Sequence, residues 1–270
     1  MIHIPLIGLG TYSQFNETLS HSLKSAISNE ISLFDTAYKY QNEREIATII
    51  KDLPRDSVFL QSKVCTQQLL GRLSRLRLDK QSIQKAYNIS CRNLGVEYLD
   101  SYLIHSYFLG VEKHYNNLID LRNNGLVPII GICNVNISQI KKLYDICGEY
   151  PMTIQVEIHP YHSQKLLIEF CNEHNIMVQA RSPFAHGDAL DEWENLDTIK
   201  NIALECRKSV PQIILRWLTQ QGITAIFRSS RVDHIAANAN IFTFELTEKQ
   251  MHAIDSINKN LSFGYISNKA

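Results

Sequence analysis

The run Ile31-Ser32-Leu33-Phe34-Asp35-Thr36-Ala37-Tyr38-Lys39-Tyr40-Gln41-Asn42-Glu43 decides how the rest of the chain is read. Its first four residues are a short apolar stretch of the kind that fills a buried strand. From Glu43 to Ile50 the apolar spacing predicts a helix. An acid, a phenol and a helix start therefore follow one another just past the C-terminal end of a strand. That is where α/β barrels place their chemistry.

Short apolar runs alternate with helical patterns along the whole chain. Strands are expected at Pro5-Leu9, Ser32-Asp35, Val58-Ser62, Ser101-Ile104, Ile129-Cys133, Ile154-Glu157, Met177-Ala180 and Thr224-Phe227. Between them, helical spacing links Ile83, Tyr87, Cys91 and Leu94, then Tyr115, Leu118 and Ile119, then Ile213, Ile214, Trp217 and Leu218. Gly125 reads as a left-handed helix stop. Strict alternation implies a parallel sheet, and eight repeats in 270 residues favour a closed (β/α)8 TIM barrel. No linker or composition shift divides the chain, so a single domain over 1–270 is expected. The one long irregular stretch, Ser182 to Glu194, is a candidate substrate loop.

Composition narrows the function classes. The chain is 44% hydrophobic and 20% charged, with 27 basic residues against 27 acidic ones. Such balance gives no global drive toward nucleic acid or anionic membrane. No apolar run reaches membrane-spanning length, and Ile4 to Leu9 already reads as a strand with no signal peptide before it, so a cytoplasmic location is expected. The six cysteines, at 65, 91, 133, 147, 171 and 206, form no Cys-x-x-Cys pair and read as buried thiols in a reducing compartment.

Two further strand ends carry polar residues, Lys63 after Val58-Ser62 and His105 after Ser101-Ile104. Singly, each of Asp35, Tyr40, Lys63 and His105 has an ordinary reading as a helix cap, a rim aromatic, a solvated lysine or a core histidine. At successive strand ends of one barrel all four converge on one mouth. Asp35-Thr-Ala-x-x-Tyr40-x-Asn42-Glu43, with Lys63 and His105, resembles the active-site signature of the aldo-keto reductases. That resemblance extends over nearly the whole chain and implies an enzyme that reduces an aldehyde or ketone with NADPH. A hydride-reduced carbonyl needs a proton and a stabilised oxygen. Tyr40 would supply the proton, and Lys63 would lower its pKa from near 10. Asp35 would hold Lys63 charged and oriented, and His105 would polarise the carbonyl.

The resemblance also implies a site for NADP(H). Gly10, Thr11 and Tyr12 match the turn beside the nicotinamide; Cys133, Asn134 and Gln155 match the clamp on its carboxamide. Ser182 and Phe184 match pyrophosphate contacts, Arg228 and Ser229 match 2′-phosphate contacts, and Asn238 matches the asparagine that reaches the adenine. No Gly-x-Gly-x-x-Gly stands at a strand-helix turn, so a Rossmann reading has no fingerprint.

Four positions depart from the family pattern. Cys133 replaces a serine, and a thiol is a weak donor. Arg181 stands where an aromatic ring normally stacks on the nicotinamide. Arg228 replaces a lysine, keeping the charge and adding a fork for phosphate. His234 replaces an arginine that often grips the 2′-phosphate, leaving Arg228 and Arg231 to favour NADP. The loop after His105 is short and the N-terminal hairpin that often plugs the floor is largely missing, so an open pocket is expected. His159-x-x-His162 and Cys171-x-x-His174 have zinc-like spacing, but the resemblance accounts for the segment as strand, turn and helix; no metal is expected. Cys133 has no histidine placed to make it a nucleophile. The expected partner is a small carbonyl compound, with the chain a monomer or weak dimer. The competing reading is an NADP(H)-binding sensor or regulatory barrel with little turnover.

Overall fold

The computed structural model describes residues 3–70 and 82–264. Eight parallel strands close into a barrel in sequence order: β1 (Ile7–Gly10), β2 (Leu33–Asp35), β3 (Phe59–Val64), β4 (Ser101–Ile104), β5 (Ile129–Cys133), β6 (Thr153–Glu157), β7 (Met177–Arg181) and β8 (Thr224–Phe227), with β8 pairing back onto β1. Helices separate them, so this is a (β/α)8 TIM barrel. The predicted strands all form, with ends shifted by a residue or two. β3 runs on to Val64 because Lys63 and Val64 pair with Leu103 and Ile104 of β4. Ser182 to Glu194 is less irregular than expected. Trp193 is fully buried and Leu190 packs on the core, which fixes a short helix over Leu190–Asn195.

Strand residues alternate between two environments, as the two-residue period requires. One set, including Phe34, Leu60, Tyr102, Ile130, Ile154, Val178 and Phe227, joins the large core between strands and helices. Each fully buried side chain of this kind contributes roughly 1.5–3 kcal/mol. The other set points into the barrel and is stratified. At the floor, Leu33, Ile129 and Ile226 pack with Ile4 in a small separate apolar cluster. Ile4 thus contributes to the floor packing. Above it, Gly131 is required, because a Cβ there would run into the Thr153 carbonyl oxygen of β6.

The middle layer is an amide network. Gln61 Nε2 donates to Gln179 Oε1 (2.8 Å), and Gln179 Nε2 donates back to Gln61 Oε1 (2.9 Å) and to Thr153 Oγ1 (3.1 Å). Gln155 Nε2 donates to Gln179 Oε1 at 3.1 Å. Buried amides are tolerated only when bonded in this way. No helix among the described residues is long and apolar enough to cross a membrane. The six cysteines form no disulfide; Cys147 and Cys206 are half-buried rather than buried.

Candidate active site

The top layer inside the barrel holds the candidate reactive groups. Asp35 ends β2 and Lys63 lies one residue before the end of β3 at Val64, so both project inward at the mouth. Lys63 is fully buried, and its Nζ donates to Asp35 Oδ2 (2.6 Å), Asp35 Oδ1 (2.7 Å) and the Thr36 carbonyl (3.0 Å). Asp35 Oδ1 also accepts from Gln61 Nε2 (2.7 Å) and Gln155 Nε2 (3.1 Å). The amide layer therefore props up the carboxylate that holds the lysine. Burial by itself disfavours the ammonium, but Asp35 more than offsets it and the Lys63 pKa is raised. Lys63 remains a cation in a site without water-like screening.

Tyr40 comes from a different kind of element, the single 3-10 turn Tyr38–Tyr40 that follows β2. Asn42 anchors this turn: its Nδ2 donates to the carbonyls of Thr11 (2.7 Å) and Gln14 (3.1 Å), and its Oδ1 accepts from Thr36 Oγ1 (3.0 Å). Glu43 is buried beneath, accepting from Ser62 Oγ (2.7 Å) and Asn93 Nδ2 (2.9 Å). These bonds explain the Asn-Glu that follows the tyrosine in the sequence. The Lys63 ammonium lies 5.2 Å from the centre of the Tyr40 ring. The His105 and Tyr12 rings meet Tyr40 edge-on at 5.6 and 5.1 Å between centroids.

The electrostatics of Tyr40 differ from the expectation that Lys63 would bring its pKa down. Burial is the dominant effect and pushes the phenol up to about 12, with Lys63 lowering it and Asp35 raising it. The hydroxyl is thus held firmly as a proton donor, and Lys63 limits how far burial raises its pKa. His105 is driven the other way, to about 3, first by burial and then by Lys63, Lys39 and Arg181. Its imidazole is neutral at neutral pH, and its buried Nδ1 has no hydrogen-bond partner among the described residues. Cys133 is buried and its thiol pushed up to about 12, mainly by burial, so it stays protonated. A neutral thiol is a poor nucleophile.

The remaining residues singled out in the sequence lie around the same mouth. Gly10 ends β1; Thr11 is buried, with its hydroxyl donating to the Asp35 carbonyl (3.2 Å); and Tyr12 is exposed at 55%. Asn134 follows β5 in the left-handed region (φ 57°) and its Nδ2 donates to the His105 carbonyl (2.9 Å). Gln155 is turned partly inward: its amide nitrogen serves Asp35 and Gln179, leaving Oε1 near the Cys133 thiol at 4.0 Å. Ser182, also left-handed (φ 52°), and the half-buried Phe184 follow β7. Arg228 and Ser229 follow β8 and precede the helix Val232–Ala239, which carries an exposed His234 and a buried Asn238. Arg231 is paired with Asp233 at 2.6 Å. His159 and His162 lie in the turn after β6, and Cys171 and His174 at the end of the helix Lys165–Glu173. Among the described residues no group of three or more His, Cys, Asp or Glu could hold a metal ion.

Arg181 is the largest departure from expectation. Rather than lying open for stacking, it is tied at three points: Nε donates to Asn134 Oδ1 (2.8 Å), Nη2 to Glu157 Oε2 (3.3 Å) and Nη1 to Ser182 Oγ (3.4 Å). Glu157 is its register partner on β6. Gln61, Gln179, Thr153 and Glu157 were not singled out in the sequence, although a signal existed. Gln61 and Lys63, Thr153, Gln155 and Glu157, and Gln179 and Arg181 recur at every second position of strands, the pattern of one inward polar face.

The profile of the Aldo/keto reductase family matches residues 6–259. An uncharacterised oxidoreductase of Bacillus subtilis, YtbE, is 34% identical, with 97% of this chain and 92% of that protein covered. The glyoxal reductase of the same organism is 33% identical with the same coverage. Among solved structures, an aldo-keto reductase from a deep-sea metagenome superposes with a TM-score of 0.86 at 29% identity, covering 98% of this chain and 96% of that one. The Bombyx mori aldo-keto reductase in complex with NADP superposes with a TM-score of 0.84 at 28% identity, covering 98% and 92%. A Lys63–Asp35 pair buried behind a protonated phenol, at the mouth of this barrel, sits within a match of that length: the chain belongs to the aldo-keto reductase family.

Proposed function

We propose that the protein reduces an aldehyde or ketone to the alcohol with NADPH, with Tyr40 as general acid. The observation that carries this reading is the stacking order of charges behind Tyr40: a protonated phenol, a fully buried ammonium and a carboxylate bound through both oxygens. Tyr40 gives its proton to the carbonyl oxygen as negative charge develops there. Lys63 stabilises the phenolate left behind, and Asp35 with its Gln61 and Gln155 donors keeps Lys63 in place. His105, neutral, donates an imidazole N–H toward the same oxygen and polarises it.

The residues at the mouth fit a nicotinamide dinucleotide. His105 Nδ1 and Gln14 Oε1 are buried without partners among the described residues, so both retain hydrogen-bonding capacity that a ligand could use. Arg228 is exposed and makes one 3.3 Å bond to the Tyr12 carbonyl, and the helix Val232–Ala239 opens beside it with its N-terminal amides. Both features suit a phosphate. Because Arg231 is paired with Asp233, Arg228 carries the NADP preference, with His234 on the helix that follows it. Asn134, Gln155 and Cys133 would hold the carboxamide, Gly10, Thr11 and Tyr12 would flank the ring, and Ser182, Phe184, Ser229 and Asn238 would hold the remainder. The reduced nicotinamide supplies the hydride when bound.

The test is NADPH oxidation, followed by absorbance, with a panel of small carbonyl compounds that includes the dicarbonyl glyoxal. Tyr40→Phe removes the proton donor alone, so kcat should fall by about 10²–10⁴-fold while NADPH affinity stays nearly intact. Wild-type turnover in that variant refutes the assignment.

A further inference from the structure

The residue that departs most from the family pattern, Arg181, is connected to the chain's C-terminal segment. After the last helix, Glu248–Asp255, the chain runs along the turn that follows β6: the Lys259 and Leu261 amides donate to the Tyr161 carbonyl at 3.1 and 2.9 Å. It then reaches the mouth and lands on Glu157. The Phe263 amide donates to Oε1 (2.6 Å) and the Ser262 hydroxyl to Oε2 (2.8 Å). His159 Nε2 lies 3.0 Å from Oε1, and Arg181 Nη2 completes the set. Four groups therefore converge on one buried carboxylate, two from the tail. Gly264 passes so close that a Cβ there would overlap the Glu157 carboxylate and stand 2.6 Å from Arg181 Nη2.

On its other edge Arg181 dictates the orientation of the Asn134 amide. A guanidinium has donors only, so the atom facing Nε must be Oδ1. The His105 carbonyl, an acceptor, demands Nδ2 on the opposite side. The two partners agree on one flip. With Oδ1 occupied, the hydrogen that Asn134 still has to offer a ligand is the second one on Nδ2.

We propose that Arg181 is a positioning residue, locked by the C-terminal tail through Glu157, which fixes the Asn134 amide as a hydrogen-bond donor to the nicotinamide carboxamide oxygen. This rests on the cofactor reading above. The tail is thereby coupled to cofactor grip. When Ser262 and Phe263 leave, Glu157 keeps only His159 and Arg181, its demand for donors falls on the guanidinium, and Arg181 is drawn off Asn134. An aromatic side chain at 181 has no donor fork with which to make this link.

The experiment is a double-mutant cycle on cofactor affinity, read by quenching of intrinsic fluorescence. Ser262→Ala removes one tail donor to Glu157, and Gly264→Ala adds a Cβ that forces the tail away from Glu157 and Arg181. Each should weaken NADPH by about 3- to 10-fold, the range for one lost hydrogen bond. The effect should vanish in an Asn134→Ala background, because a merely structural tail would act equally in both. In the cofactor-free protein, Arg181→Met should speed amide exchange at Phe263. Tail variants that bind NADPH as tightly as wild type, a loss that persists in Asn134→Ala, or unchanged exchange at Phe263 would each overturn the lock. Wild-type protein that binds neither NADPH nor NADH would instead remove the cofactor reading beneath it.

Discussion

Replacing Asp35 by Asn keeps the side-chain shape while removing the charge and turning one of its two acceptor oxygens into a donor. Lys63 is wholly enclosed and has Asp35 as its charged partner, at 2.6 Å. Removing one member of a buried pair leaves an uncompensated charge, which costs about 3–5 kcal/mol. At about 2–4 °C per kcal/mol for a chain of this size, Tm should fall by roughly 6–20 °C. The pH dependence follows from the direction of the shift. In wild type the Lys63 pKa is raised, so the pair's contribution is complete below the ordinary lysine value and is lost only as pH climbs through the higher folded value. In Asp35→Asn, burial is unopposed and lowers the lysine pKa. The unfolded chain then binds more protons, and stability rises with pH up to the ordinary lysine range. Asp35→Asn/Lys63→Met removes both charges and should regain most of the lost stability while remaining inactive. Differential scanning calorimetry from pH 6 to 10, with NADPH oxidation on the same samples, reads all three. An Asp35→Asn protein that melts with wild type, or a double variant that melts well below the single one, refutes the reasoning.

Reduction and its reverse should respond oppositely to alkali. With Tyr40 near 12 and His105 near 3, carbonyl reduction should be flat from pH 6 to 9, while alcohol oxidation, which needs the phenolate, should rise about tenfold per pH unit; parallel initial-rate profiles check this, and a bell centred near neutrality in both directions would contradict it. Arg228→Ala should weaken NADPH by about 10- to 100-fold through loss of a charge-assisted bond, with NADH little changed. Fluorescence titration of both cofactors at two salt concentrations measures it, and equal losses for the two would place Arg228 away from the 2′-phosphate.

The barrel, and the four side chains proposed to react, were legible in the amino-acid sequence because both are written in local patterns. Ile31 to Phe34 followed by Asp35 states a strand and its chemical end within a few residues. The same holds for the runs leading to Lys63 and His105. A parallel strand buried on both faces is mostly apolar, so a charged residue at its end stands out. What tertiary structure decided is whatever depends on partners far apart in the chain. Lys63 was legible as the residue that lowers the Tyr40 pKa, but burial, a property of the closed barrel, outweighs it. Gln61 and Gln179 are 118 residues apart and pair only because β3 and β7 face each other across the barrel interior. Arg181 carries in its sequence position the family's stacking site. Its actual partners, Glu157 one strand away and Asn134 two strands away, take up the guanidinium first. Local sequence specifies which groups reach the mouth. Only the closed sheet, by setting register and excluding water, decides which of them find each other and in what protonation state.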